Sequence, residues 1–302
     1  MRRTFSFLAL SLLLLSVLVP QAATAATWRV GLQAGHWLSN ELPDELSRLR
    51  TSTGAAAAGI REAQVNLDIA QRAAGYLRNA GVQVDVLPAT VPPAYRADAF
   101  VSIHADGNAS TRLRGFKVAT QWREWEVGVA LVDALRQDYG RASGLPWDGG
   151  RITSGMRGYY AFSSGRFQHS IANDTPGAIL EMGYLTNPSD RALMTREADR
   201  LARGVADGVL RFLRSKPTSG WPAPPALPNF RATVIVASAN LRSGPGTNYP
   251  VVRRVQRGRV LLAESIEGEW VKLTSMRGNQ IRWAHRDNLK LERINTEEPQ
   301  DS

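Results

Sequence analysis

Ala99-Phe100-Val101-Ser102-Ile103-His104 is a short apolar run that stops on an imidazole. Such a run reads as a strand buried on both faces, as the strands of a parallel sheet are. Two more runs share the pattern. Arg29-Val30-Gly31-Leu32-Gln33 leads into Gly35-His36, and Ala178-Ile179-Leu180 ends on Glu181. Helical periods separate them. Residues 62–79 carry Val65, Ile69, Ala73 and Leu77 on one face, and residues 199–214 carry Leu201, Val205, Val209 and Leu213. Residues 82–86 alternate as a strand, 115–119 read as another, 127–139 carry a helical pattern, and 179–182 form a short buried strand. Strand alternating with helix predicts an α/β fold, a mainly parallel twisted sheet with helices on both faces.

In an open α/β sheet the reactive pocket lies outside the carboxyl ends of the strands, where His36, His104 and Glu181 fall. Glu62 opens the helix between the first two strands. Two imidazoles and a carboxylate make a common catalytic zinc set, and a further glutamate can serve as base, so the chain reads as a metallohydrolase with its glutamates unassigned. Each residue alone is a weak signal. A helix N-terminus favours a carboxylate through its dipole, so Glu62 has a purely structural explanation too. Glu181 lies between Ala178-Ile179-Leu180 and Met182-Gly183-Tyr184, where burial raises a carboxylate's pKa toward a value suited to moving protons. His169 and His285 lack a strand-end position and read as structural.

The chain has 302 residues and no cysteine, which excludes disulfides, thiolate ligands and cysteine nucleophiles and leaves nitrogen and oxygen to hold a metal. Residues 1–25 carry Arg2-Arg3, an apolar core from Phe5 to Pro20 and the ending Ala23-Thr24-Ala25, the layout of a cleaved signal peptide. The expected location is therefore outside the cytoplasm (periplasmic, cell-wall associated or secreted), with no stable membrane insertion after signal removal. Residues 26–214 form the α/β domain. Residues 215–229 contain five prolines and no periodicity, a semi-rigid linker. Residues 230–291 hold short β-type runs broken by Gly244-Pro245-Gly246, Arg257-Gly258 and Glu267-Gly268, which predicts a small all-β barrel. This last domain is basic, with eleven Lys/Arg against four Asp/Glu, and an acidic tail, 292–302, follows it. A basic module suits an anionic polymer, and a solubilising surface is the plainer alternative. Nothing here sets an oligomeric state.

Four segments in order resemble the zinc-dependent N-acetylmuramoyl-L-alanine amidases of the type 3 group. Gly35-His36 is similar to the family's first motif, Glu62 with Val65-Asn66-Leu67 to its metal-binding helix start, Ser102-Ile103-His104-Ala105-Asp106 to its Ser-Ile-His-Ala-Asn signature, and Glu181-Met182-Gly183-Tyr184-Leu185-Thr186-Asn187 to its catalytic segment. The resemblance implies His36, Glu62 and His104 as Zn2+ ligands and Glu181 as general base and then acid, cutting the amide between N-acetylmuramic acid and the L-alanine of the stem peptide. Where the family has an acid two residues before the glycine of Gly-His, this chain has Gln33. If that acid orients the imidazole, Gln33 or a backbone carbonyl must replace it, or metal affinity falls about 10- to 100-fold.

The basic module resembles bacterial SH3 domains through Asn240-Leu241-Arg242-Ser243-Gly244-Pro245 and Gly268-Glu269-Trp270-Val271. It implies peptidoglycan, not nucleic acid, as the polymer partner, with Trp283, Tyr249 and nearby arginines to stack on or pair with glycan and peptide, and core packing as their plainer role, for Trp270 at least as much. Two rival readings remain open at this point: a zinc peptidase cutting within the stem peptide, and a non-catalytic wall-binding protein.

Overall fold

A computed structural model describes residues 28–275 and 280–294. The signal-peptide segment and most of the acidic tail lie outside the described residues. In chain order the first unit contains β1 (Arg29–Ala34), the short pair β2 (Ala56–Ala57) and β3 (Ile60–Arg61), α1 (Glu62–Asn79), β4 (Gln83–Leu87), β5 (Ala99–Asp106), β6 (Lys117–Ala119), α2 (Glu126–Ser143), α3 (Ser154–Arg157), β7 (Gly177–Tyr184), α4 (Pro188–Arg196) and α5 (Ala198–Arg214). The sheet order is β4-β1-β5-β7-β6. The first four strands are parallel, and β6 joins antiparallel to β7 at one edge.

The central strands lie between two apolar layers. On one face α1 and α2 pack against the sheet and α5 packs against both helices, with Ile69, Leu77, Leu131, Leu201 and Val209 fully buried. On the other face the cover is shorter. Leu42, Leu46, Tyr160 and Phe162, from 3-10 turns, join Phe100 and Ile179 of the sheet in a second apolar cluster. Helical cover thus lies on both faces, as expected, but only one face has long helices.

β5 and β7 run past the points where their apolar patterns stop. Hydrogen bonding to neighbours carries them through His104 and Glu181, which pair in register, with Lys117 of β6 opposite Glu181. The chemistry therefore sits on the last residues of rigid strands, which holds it more firmly than loops would. The sequence reading passed over α4. Its N-terminal signal is Asn187, whose Oδ1 accepts from the amides of Ser189 and Asp190 at 2.9 and 3.1 Å, with Pro188 at the first helical position.

Residues 215–229 run along the first unit without regular structure. Trp221 stacks on Phe212 with ring centroids 5.0 Å apart, and the carbonyls of Pro225 and Ala226 accept from Asn173 and Arg123. The second unit is an antiparallel β structure of β8 (Phe230–Val234), β9 (Ser238–Arg242), β10 (Val251–Gln256), β11 (Val260–Glu267), β12 (Trp270–Thr274), β13 (Ile281–His285) and β14 (Leu289–Arg293), in the order β10-β9-β13-β12-β11-β8-β14. Ala232, Val234, Leu241, Val271, Leu273 and Ala284 fill its core. Trp283 is 8% exposed and belongs to the interior, the plainer of its two expected roles, whereas Tyr249 is 40% exposed. Arg231 ties the units together, its Nε donating to the carbonyl of Gly165 at 3.2 Å. Among the described residues no helix is long and apolar enough to cross a membrane.

Candidate active site

His36, Glu62 and His104 meet beyond the carboxyl ends of β1 and β5. One potential ligand atom from each lies within 4.8 Å of the others. Glu62 Oε1 is 3.0 Å from His104 Nδ1 and 3.4 Å from His36 Nε2, and the two imidazoles stand nearly perpendicular, 4.9 Å between centroids. His36 follows β1 on a left-handed turn with φ 62°, unusual outside glycine and common where function fixes the backbone. Glu62 opens α1 and is 4% exposed, and His104 is 6% exposed.

The scaffold around these three is specific. Gly35 is needed because a Cβ there would fall 2.3 Å from the His104 ring. Gly54, with φ +80°, is needed because a Cβ would meet Glu62 Oε2 at 2.6 Å and the His36 ring at 2.8 Å. The Ala55 amide donates to Glu62 Oε2 at 2.6 Å and the Ala105 amide to Oε1 at 3.1 Å. Asn66, one helical turn after Glu62, donates from Nδ2 to the Gly35 carbonyl at 3.0 Å and reaches Glu62 Oε1 at 3.3 Å.

Orientation of His36 falls to a backbone carbonyl. Its Nδ1 is 2.7 Å from the Ser52 oxygen, which sets the tautomer so that Nε2 faces Glu62. Gln33 is fully buried and does something else. Its Nε2 donates to the Ala89 carbonyl and to Tyr160 Oη, and its Oε1 accepts from Ser102 Oγ at 2.7 Å and Tyr159 Oη at 2.9 Å. The glutamine is the hub of a polar network under the site, and the loss of the acid is met at Ser52.

Charge follows from this packing. For Glu62 burial works to raise the pKa, but the hydrogen bond and charge of His104, then the charge of His36, hold it down to about 2. Burial lowers the basicity of His36, which favours the neutral, metal-binding imidazole. His104 is opposed by burial yet raised by its hydrogen bond to Glu62 and the charge of Glu181. A divalent cation would take over the electrostatic role of that proton. Two nitrogens and a carboxylate oxygen converging in a shielded corner are a donor set that suits such a cation.

Glu181 completes the corner. Its pKa is pushed up to about 7, first by burial, with the charges of Glu62 and Asp106 adding and those of His104 and Lys117 opposing. Its Oε2 is shielded and has no hydrogen-bond partner. A proton can therefore be taken up and released there near neutrality. Lys117, 1% exposed, was passed over in the sequence. It bonds Asp106 and lies 3.2 Å from Tyr184 Oη, placing a fixed positive charge behind Glu181. Tyr159 was also passed over. Its hydroxyl lies 3.5 Å from His104 Nε2, and burial raises its pKa, so it stays a neutral donor. His169 pairs with Glu45 at 2.8 Å and His285 lies near Glu269 and Asp287, so neither joins the site. A pocket of about 180 Å3 opens over the ligands, with His36, His104, Tyr159, Leu42 and Arg48 in its walls.

Comparison with known proteins follows the same division of the chain. Residues 237–290 match the bacterial SH3 domain. Among solved structures, the chain is similar to the N-acetylmuramyl-L-alanine amidase Ami1 from Mycobacterium smegmatis (21% identity, 63% of this chain and 98% of that one, TM-score 0.48). It is similar also to the catalytic domain of CwlV, an N-acetylmuramoyl-L-alanine amidase from Bacillus (Paenibacillus) polymyxa var. colistinus (21% identity, 63% and 100%, TM-score 0.46). A third is the N-acetylmuramoyl-L-alanine amidase AmiC2 of Nostoc punctiforme (21% identity, 62% and 97%, TM-score 0.44). No curated protein matches the sequence. The profile of the N-acetylmuramoyl-L-alanine amidases matches residues 30–211, more than half of the sequence, and the chain belongs to that family.

Proposed function

We propose that this peptidoglycan amidase holds one zinc ion on His36, Glu62 and His104 and uses Glu181 as its proton carrier. The observation that carries the reading is the convergence of those three donors within 4.8 Å beside a carboxyl group whose pKa is near 7. When bound, zinc supplies Lewis-acid activation of the scissile carbonyl and of the attacking water. Glu181 Oε2 takes the proton of that water and passes it to the departing nitrogen of L-alanine, a transfer that its pKa allows in both directions. The Ser52 carbonyl keeps His36 in the ligating tautomer, and Asn66 and the Ala55 amide keep Glu62 aimed. Lys117 steadies the negative form of Glu181 during each cycle. Tyr159 Oη, whose proton goes to Gln33 Oε1, ties the polar network under the site to the flank of His104.

In this reading residues 26–214 are the catalytic domain, 215–229 the linker, 230–291 a module that holds the enzyme on the wall, 292–302 an acidic tail and 1–25 the export signal. The family match favours the amidase over the peptidase, and the complete donor set with Glu181 speaks against a non-catalytic wall binder. Purified sacculi digested with and without a chelator test the function. Whole stem peptides with a free alanine amine should appear only without chelator; fragments cut inside the stem would favour the peptidase.

A further inference from the structure

Where the barrel meets the catalytic unit there is a cleft of about 740 Å3. Arg48 and Arg166 line it from the catalytic side, and Arg231, Arg253, Arg257 and Arg259 from the barrel. The carboxylates in its walls are committed elsewhere. Asp44 is bound by Arg50 at 2.6 Å, Glu45 accepts from His169 and two backbone amides, and Glu292 is held by Lys290 at 2.7 Å, with Arg231 at 4.0 Å. Among the described residues Arg48, Arg166, Arg253, Arg257 and Arg259 have no carboxylate partner. Arg166 is half-buried, its Nε shielded and without a hydrogen-bond partner. Its pKa is lowered to about 10, first by burial and then by the charges of Arg259 and Arg48. Like charges gathered in a concave surface repel one another unless an anion joins them, and arginine forks suit carboxylates and phosphates.

The position of Arg48 chooses between those anions. It lines the junction cleft and also the pocket over His36 and His104. An anion held here lies next to the pocket over His36 and His104, within reach of one substrate spanning both. We propose that the junction cleft is a substrate subsite, shared by the catalytic unit and the barrel, that binds carboxylates of the peptidoglycan stem peptide. This rests on the amidase reading above. A peptide ends in a carboxylate, so the leaving half of the substrate carries the anion the cleft requires. The barrel then contributes directly to substrate binding through Arg253 and Arg259, beyond any tethering, and the bond from Arg231 to Gly165 keeps the two walls in register.

The test uses the full chain and two soluble muramyl peptides, one with free stem carboxylates and one with them converted to carboxamides. The free acid should have a kcat/KM about tenfold higher, mostly through KM, the size of a charge-assisted bond that is equally strong in ground and transition states. Arg48→Gln and Arg259→Gln should bring the ratio near one, Arg259→Lys should keep part of it, and Arg196→Gln, outside the cleft, should leave it intact. Equal turnover of the two substrates by the wild type, or a preference that survives both glutamine variants, overturns the proposal. So does a chain truncated after Ile294 in which the variants no longer differ from the parent, since the occupant would then be the chain's own acidic end. Sacculus binding that depends on the arginines but vanishes only when phosphate polymers are stripped from the wall counts against it too. Failure to cleave either substrate would instead strike the amidase reading.

Discussion

The metal corner and the junction cleft treat charge in opposite ways. Around Glu62 nearly every polar group has a partner within the chain: His104, His36, Asn66 and two backbone amides converge on one carboxylate. In the cleft five arginines have no carboxylate partner among the described residues. A corner that satisfies itself is arranged before its cation arrives, and binding exchanges a proton for the ion with little rearrangement. A cleft of arginines without carboxylate partners among the described residues stores repulsion that an anion relieves. The first is built for a resident group and the second for a visitor.

Three measurements probe that contrast. The largest effect belongs to Glu181, the one acid of the corner without a fixed partner. Its folded pKa, about 7, lies above the 4.5 of an ordinary glutamate, so the folded protein binds more protons than the unfolded chain between those values. Stability therefore falls as pH rises from about 4.5 to 7. In metal-free protein, Glu181→Gln should remove a penalty of about 3 kcal/mol at pH 8 and almost none at pH 4, read as the difference from wild type in denaturant unfolding. Equal differences at both pH values would contradict it. Next comes Gln33→Leu. It takes the acceptor away from the Ser102 and Tyr159 hydroxyls, and should cost about 1–3 kcal/mol in urea unfolding while metal affinity stays within a few-fold, because Ser52 orients His36. A large loss of metal would return the orienting role to Gln33. The smallest effect is expected for Arg259→Gln, which should change stability by only a few tenths of a kcal/mol, in the stabilising direction at low salt. Clear destabilisation would reveal a partner inside the chain and erase the contrast.

Much of this was readable before any coordinates. The apolar runs ending on His36, His104 and Glu181 and the face of α1 behind Glu62 show in single-chain periodicity, because one local pattern sets each. The β barrel announces itself through its glycine turns. What escaped is long-range or made of backbone. A carbonyl such as that of Ser52 has no side-chain signature. Gly54 sits in a loop with no period, and its need for a positive φ follows only from the ring and carboxylate above it. Lys117 lies in a three-residue strand whose antiparallel pairing puts it opposite Glu181, and Tyr159 reaches His104 across 55 residues. For Trp283 stacking and core packing were both open in the sequence, and only the folded barrel shows it buried beside Ala284. The arginine cleft needs both units side by side, which linear charge counting does not reveal.

In the proposed site three residues hold the metal and one moves the proton. Glu181→Gln separates those roles when zinc content and amide cleavage are measured on the same preparation. The purified variant should retain one zinc per chain and lose cleavage by about a thousandfold, the scale of positioned acid–base catalysis. Loss of zinc together with activity would make Glu181 a ligand, and retained cleavage would remove it from the proton path.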